Sequence, residues 1–343
     1  MRTLLTGSQG YIGTILAERL VAVGHEVVGL DTGWFDECVL GPQPAAIPTM
    51  RVDVRDVSAK DLTGFDAVLH LAALSNDSLG NLNPDLTYAI NHHASVRLAD
   101  AARRAGVGRF LFSSSCSLYG ASEAGDPTAM LDESASFAPV TPYGASKILA
   151  EQGIAELATD DFSPTFLRNA TAYGFSPRLR GDIVVNDLVA SALLTGEVRL
   201  LSNGQAWRPL IHVEDIADAF VALLEAPQTD VHNRAFNVAQ SAENYLIRDV
   251  ADLVAESVPN SRVSLAADPG SDLRNYRVSG DLLTATVPAF KPQWNVARGI
   301  EQLVDAYRRH GLSMVNFDER FRRVGRIRAL LAADQVHTDL RWQ

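Results

Sequence analysis

Apolar residues in the first half of the chain alternate between two patterns. Short buried runs at Arg2–Leu5, Glu26–Leu30, Ala67–Leu71, Arg109–Phe112 and Thr165–Arg168 read as strands. Between them lie longer stretches with helical spacing: the segment after Gly10 as far as Val23, Pro84–Ala105 and Tyr143–Leu157. Gly24 and Gly106 follow the first two in the place a helix C-cap favours. A further strand is expected to close at Asp53-Val54, after the proline-rich loop from Gly41 to Pro48. Strands alternating with helices predict an α/β fold built on a doubly wound parallel sheet. Beyond Gly174 the pattern loosens. Helices are expected at Asp182–Thr195, Val213–Glu225, Ile247–Val258 and Val296–Arg309, with short strands between them. This predicts a smaller substrate lobe interleaved with returns to the sheet. The expected division is 1–174 for a nucleotide-binding domain, with returns near 209–240, then 175–310 for the lobe and 311–343 for a C-terminal helical extension. Over Asn316–Ala333, Phe317, Phe321, Val324, Ile327 and Leu331 form one stripe among arginines. That spacing predicts an amphipathic helix docked on the body or on a subunit partner.

Composition narrows the function classes. With 343 residues, 47% hydrophobic and 21% charged, the chain has the make-up of an ordinary soluble enzyme with ample core. A formal net charge of −11 argues against nucleic acid or an acidic membrane as partner. No apolar run approaches a membrane span. Cys38 and Cys116 stand far apart with no metal-ligand spacing, so neither a metal site nor a disulfide framework is expected, and a reducing cytosol fits. A strand pattern starting at residue 2 leaves no room for a signal peptide, and a cytoplasmic protein is expected.

Three stretches carry chemistry. The first is Thr6-Gly7-Ser8-Gln9-Gly10-Tyr11-Ile12-Gly13, a glycine turn between strand and helix. Glycines there let backbone approach a pyrophosphate, and the helix N-terminus offers free N–H groups. The spacing is G-x-x-G-x-x-G rather than the G-x-G-x-x-G of many Rossmann folds. About 20 residues on, Asp31 ends the second strand, where a carboxylate accepts both ribose hydroxyls of NAD and repels the 2′-phosphate of NADP. Asp53 and Val54 can flank the adenine. Where the strand ending at Leu71 runs into Ala72-Ala73-Leu74, small residues leave space for the cofactor's middle, with Leu71, Ala72 and Ala73 as cofactor-binding candidates. His70 reads as a packed core histidine. The second stretch, Ser113-Ser114-Ser115-Cys116-Ser117, opens at the end of a parallel strand, where doubly wound sheets bind ligands. The third places Tyr143 and Lys147 one helical turn apart. A phenol titrates near 10, too high for a base at neutral pH, and an adjacent ammonium pulls it down.

Taken together, these pieces resemble the extended short-chain dehydrogenase/reductase family in its NAD-dependent nucleotide-sugar epimerase/dehydratase branch, nearest in motif to the UDP-galactose 4-epimerase type. The resemblance runs over roughly residues 2 to 310 and includes Asn91, Leu167-Arg168 with Tyr173-Gly174, Arg208 to Asp215, and Pro269 to Arg274. It implies a Rossmann-type sheet and a nucleoside-diphosphate sugar as substrate. It implies that Tyr143 takes a proton from a sugar hydroxyl while nicotinamide takes hydride, and that Lys147 also holds the nicotinamide ribose. Ser115, four residues before Tyr119, would hydrogen-bond the reacting oxygen, and Ser113 reads as strand-end structure beside the cofactor. Arg208 and Arg274 would bind the substrate's diphosphate. The helices from Pro84 and from Tyr143 resemble a pair that forms a four-helix homodimer interface.

The chain also departs from the family. The 4,6-dehydratases carry an Asp-Glu pair where this sequence has Cys116 and Ser117, and decarboxylases a glutamate at the Ser117 place. Ordinary dehydration is therefore not expected. Cys116 either touches the sugar or packs as a small buried residue. Thr171 replaces a family asparagine while Asn169 appears nearby, and the loop Leu74-Ser75-Asn76-Asp77-Ser78 differs from the usual substrate loop. The expected activity is 4-epimerisation. A 4-ketoreductase using the same residues once, and a catalytically idle NAD-binding regulator, are the alternatives.

Overall fold

Seven strands supply the frame: β1 (Arg2–Thr6), β2 (Glu26–Leu30), β3 (Thr49–Met50), β4 (Ala67–His70), β5 (Arg109–Ser115), β6 (Ser163–Asn169) and β7 (Arg234–Val238). The structure, a computed structural model, describes residues 1–75, 77–121, 129–270 and 274–343, with backbone alone for Ser78 and 267–270. Asn76 and 271–273, which fall in two of the motifs above, lie outside the described residues.

Every neighbouring pair in this sheet runs parallel, in the order β7-β6-β5-β4-β1-β2-β3. From β1 the chain moves outward to β2 and β3, then returns to β4 on the other side. That reversal opens a crevice at the C-terminal ends of β1 and β4, where such sheets receive ligands. β4 and β6 are buried along their whole length; their runs are apolar or small as far as Leu69 and Leu167, and the polar His70, Arg168 and Asn169 stand at the C-terminal ends. β3 is shorter than the sequence implies. It stops at Met50, and Asp53 instead accepts the Arg55 N–H to cap a 3₁₀ turn over Val54–Asp56.

Helices cover both faces. Leu16, Ala17 and Leu20 from Tyr11–Ala22 pack with Ile216, Ala217 and Phe220 from Val213–Glu225. In a second cluster, Leu98 and Ala102 meet Ala150 and Ile154 of the Pro142–Ala155 helix. The long helix expected from Pro84 is real but uneven: Tyr88–His93 is a π-helical turn between Pro84–Thr87 and Ala94–Arg104.

The second lobe has its own core, with Val189, Leu200, Val250 and Ile300 among its members. Its strands Glu197–Ser202 and Arg262–Gly270 pair parallel, and Trp207–His212 lies between Thr171–Tyr173 and Asn244–Leu246. Return of the chain to the main sheet occurs through the Val213–Glu225 helix and β7. Among the described residues no helix is long and apolar enough to cross a membrane.

The C-terminal extension docks on the body. It is broken rather than continuous: a π-helical turn at Phe317–Phe321 is followed by a bend at Arg322 and a helix over Arg323–Ala332. Phe317 and Phe321 enter the second-lobe core, whereas Ile327 and Leu330 enter the core under β2 and β4.

Candidate active site

The ends of β1, β4 and β5 open on a cleft of about 610 Å³ that continues onto the second lobe. Its floor starts at the glycine turn. Gly7 has φ +72°, and a Cβ there would stand 2.9 Å from Ala72 N, so the turns that follow β1 and β4 come together this closely only with glycine. A Cβ on Gly13 would stand 2.1 Å from Gly7 O, so only glycine lets the helix approach the turn this closely. Gly10 caps that helix with no side-chain hydrogen bond, and its first turn holds no acidic residue. The N–H groups of Tyr11, Ile12 and Gly13 thus sit at an uncapped positive helix end that suits a phosphate. Tyr11 ties the turn to the second lobe, its hydroxyl donating to Gly174 O at 2.6 Å.

At the end of β2, the Asp31 carboxylate accepts from Gln9 N at 2.9 Å and Gly33 N at 2.8 Å. Each oxygen keeps a lone pair for a ribose hydroxyl. Burial pushes Asp31 above the usual carboxylate range, against those two N–H donors. The Gln9 side chain is engaged elsewhere, accepting from Arg178 Nη2 at 2.8 Å. Asp53 lines the cleft but its carboxylate is held by Arg55 at 2.6 Å, which leaves Val54 and the turn backbone to meet a ring. Leu71, Ala72 and Ala73 line the middle as expected. Uncapped helix, ribose-ready carboxylate and small-residue midsection together fit NAD.

The reacting end is built from β5 and the Pro142–Ala155 helix. Thr141 caps that helix, accepting from Gly144 N at 3.2 Å, and Pro142 takes its first position. Tyr143 and Lys147 therefore face the cleft one turn apart, with the ammonium 5.9 Å from the tyrosine ring centre. Lys147 Nζ donates to Ser113 O at 2.7 Å. Burial pushes Lys147 down to about 7, with Glu151 opposing the shift. Burial likewise pushes Tyr143 up to about 12, against a hydrogen bond from the Ser115 side chain. In the protein alone, desolvation thus outweighs any lowering of the phenol by the lysine.

Surrounding hydrogen bonds hold these groups. Asn169 Nδ2 donates to Ser113 Oγ at 3.0 Å and Ser114 O at 3.2 Å, and its buried Oδ1 has no partner among the described residues. Asn91, in the π-helical turn, receives Leu74 N at 2.8 Å and reaches Ser146 Oγ at 3.3 Å, linking the loop after β4 to the helix of Tyr143. His70 is a core histidine as expected, bridging Thr6 Oγ1 and Ser95 Oγ, and burial drives it down to about 3.

Cys116 is turned away from the cleft. Its thiol is buried and donates to Arg168 O at 3.1 Å, and burial drives its pKa upward, so it packs rather than touching a sugar. Ser117 does line the cleft, and its side chain hydrogen-bonds Tyr276. Arg208 and Arg274 come together there, Arg208 Nη1 donating to Arg274 O and its guanidinium lying 5.8 Å from the Tyr276 ring centre. Arg274 also pairs with Asp77, which accepts from Thr141 Oγ1 at 2.6 Å.

Arg180, Tyr276 and Arg323 line the cleft and escaped the sequence reading, which named Asp77 only as part of the loop after β4. Arg180 pairs with Asp182 at 3.0 Å and has a buried Nη2 without a partner among the described residues. Its signal was present as two arginines closely following Tyr173-Gly174. Arg323 lay hidden in an arginine-rich tail that looked like surface.

Known proteins share this plan. A UDP-glucose 4-epimerase of Mycolicibacterium smegmatis is 30% identical over 326 residues, covering 90% of this chain and 99% of its own. The solved NAD-dependent NDP-hexosamine 5,6-dehydratase TunA superposes with a TM-score of 0.79 at 23% identity, over 90% of this chain and 98% of its own. MoeE5, solved with UDP-glucuronic acid and NAD, superposes with a TM-score of 0.78 at 24% identity, over 90% and 99%. These two structures agree with the fold. The family model described as the NAD dependent epimerase/dehydratase family matches residues 3–239, and the chain belongs to that family.

Proposed function

We propose that this protein is an NAD-dependent epimerase of a nucleoside-diphosphate sugar, working at C4 through a 4-keto intermediate. The observation that carries the reading is the assembly of Ser115, Tyr143 and Lys147 at one end of a cleft whose other end fits a dinucleotide. The absence of carboxyls at Cys116 and Ser117 favours epimerisation over elimination, because neither side chain can remove the proton beside a ketone as a carboxylate does. The M. smegmatis relative, named as a UDP-glucose 4-epimerase, supports the same choice.

In this mechanism Tyr143 removes the proton of the sugar's C4 hydroxyl. Protonated Lys147, one turn along, favours the phenolate and offsets the burial that otherwise holds the phenol neutral. Bound NAD supplies the hydride acceptor and donor, and the positive charge of its ring adds to that of the lysine. Ser115 aims a hydroxyl at the oxygen on which charge develops, the kind of donor worth ~3 kcal/mol when removed. Arg208 and Arg274 hold the substrate's diphosphate by charge-assisted bonds, which places the sugar against Tyr143. Buried, unpaired Cys38 and Cys116 support a reducing, cytoplasmic setting. A two-fold homodimer completes the proposal.

The test is product analysis on the purified protein. It is expected to interconvert a UDP-sugar and its C4 epimer without added nucleotide. Tyr143→Phe is expected to lower kcat by roughly 100-fold or more, as loss of a positioned acid–base group does. Stoichiometric consumption of NADH would show a ketoreductase instead, and no turnover on UDP-, dTDP-, GDP- or CDP-sugars would leave an NAD-binding regulator.

A further inference from the structure

We propose that the C-terminal extension completes the cofactor site, with Arg323 binding the diphosphate of the dinucleotide. The proposal rests on the NAD reading above and adds to it a residue outside the matched family region, residues 3–239.

Arg323 begins the helix after the Arg322 bend and is only 2% exposed, yet it lines the central cleft. Its contacts are poor for a buried cation. Nη2 donates to Arg178 O at 3.1 Å, the guanidinium lies 4.0 Å from the Phe35 ring centre, and buried Nη1 has no partner among the described residues. A charge held out of water needs an opposite charge or strong acceptors in contact. Asp182 and Asp31 act on Arg323 through their charge alone, with Arg180 opposing them, and its direct partners are only a carbonyl and a ring. Burial pushes Arg323 down to about 10, so it remains a cation at neutral pH. An anion received in the cleft resolves the deficit, and a diphosphate suits the planar fork of an arginine.

Position selects which diphosphate. The carbonyl that Arg323 bonds belongs to Arg178, whose own Nη2 holds Gln9 in the glycine turn. Phe35, which Arg323 stacks on, follows closely after Asp31, the ribose carboxylate. Both neighbours belong to the dinucleotide end. Arg208, Arg274 and Tyr276 gather instead beside Ser117. Farther along, the extension is fastened to the same end. Trp342 Nε1 donates to Thr32 O at 2.6 Å, Arg55 Nη1 to Asp339 O at 2.9 Å, and Arg341 pairs with Asp56.

The experiment compares wild type with Arg323→Met after cofactor removal. It measures NAD and UDP affinities and the melting temperature with and without NAD. In the variant, NAD affinity is expected to fall about tenfold or more, the loss of a charge-assisted pair, with UDP affinity unchanged. Melting without NAD is expected to stay level or rise, since an unpaired buried charge has gone, while the NAD-induced increase shrinks. Unchanged NAD affinity would overturn the proposal. So would weakened UDP binding with NAD unaffected, which would move Arg323 to the substrate. A lower melting temperature with an intact NAD response would make Arg323 purely structural. Arg323→Lys, which keeps the charge without the fork, is expected to lose part of the NAD affinity, and serves should the methionine variant fail to fold. A wild type that neither binds NAD nor is stabilised by it would fail the NAD reading itself, and is told apart by needing no variant.

Discussion

Two single side chains decide how this site handles charge. Asp31 is held by the N–H groups of Gln9 and Gly33, so it cannot swing away from a ligand it repels. A 2′-phosphate would bring nearly two negative charges against it. The neighbouring cation Arg51 is already paired with Asp36. NAD is therefore expected to bind more than about tenfold, or ~1.4 kcal/mol, more tightly than NADP. Asp31→Ala is expected to weaken NAD and narrow the gap, read by equilibrium titration with both nucleotides. Equal wild-type affinities would displace Asp31 from the ribose. Lys147 sets a pH signature. Its folded pKa, pushed down to about 7 by burial, lies below that of a lysine in an unfolded chain, near 10.4. Below pH 7 both states are protonated and the folded state bears the full burial cost. Between about pH 7 and 10 the unfolded chain binds more protons, so stability contributed at this site rises with pH. Lys147→Met removes the cost. Its stabilisation over cofactor-free wild type is expected to be largest below pH 7 and to shrink toward pH 10, measured as the difference in melting temperatures. A difference that is flat with pH would mean that Lys147 is not desolvated.

At the scale of elements, the strands and helices around the cofactor were legible because each buries a periodic or continuous apolar face. The glycine turn, Asp31 and the Tyr143–Lys147 pair fell where that pattern placed them, since helical spacing alone brings the last two together. What was not legible depended on partners distant in sequence. Asp53 looked like a strand end, but Arg55 recruits it as the cap of a 3₁₀ turn. Asn91 looked like part of a regular helix. It sits in a π-helical turn and, fully buried, bonds both the loop after β4 and Ser146. The tail stripe suggested one helix on one surface. In fact Phe317 and Ile327 serve different cores, and the bend at Arg322 that makes this possible also turns Arg323 inward. Cys116 was ambiguous in sequence, and only the Arg168 carbonyl beneath it shows that the thiol points into the body. The same buried region contains the Arg168–Glu151 pair at 2.8 Å, which fastens β6 to the helix of Tyr143. Breaking such a buried pair leaves a lone charge, so this contact holds the helix of Tyr143 at a fixed distance from the sheet.

At the scale of the whole molecule, the remaining question is assembly, and it turns on the outer side of that same helix. Tyr143, Lys147 and Glu151 face inward, whereas Leu149, Gln152 and Glu156 are exposed one to two turns apart on the other side. Leu149 is 39% exposed, the apolar member of that exposed row. Beside it, Val96 from the Ala94–Arg104 helix packs against Gly153, where a Cβ would stand 2.7 Å from Val96 Cγ2. Glycine at position 153 lets the two helices approach closely enough to present one continuous face, which a two-fold axis can pair with its own copy. Pairing there would brace the helix that carries Tyr143 and Lys147 without touching the cleft. Light scattering at micromolar concentration is expected to give twice the chain's mass. Leu149→Arg, which puts a charge against its own symmetry mate, is expected to shift the population toward monomer while leaving NAD binding in place. A wild-type monomer, or a dimer indifferent to Leu149→Arg, would place any self-association on another surface.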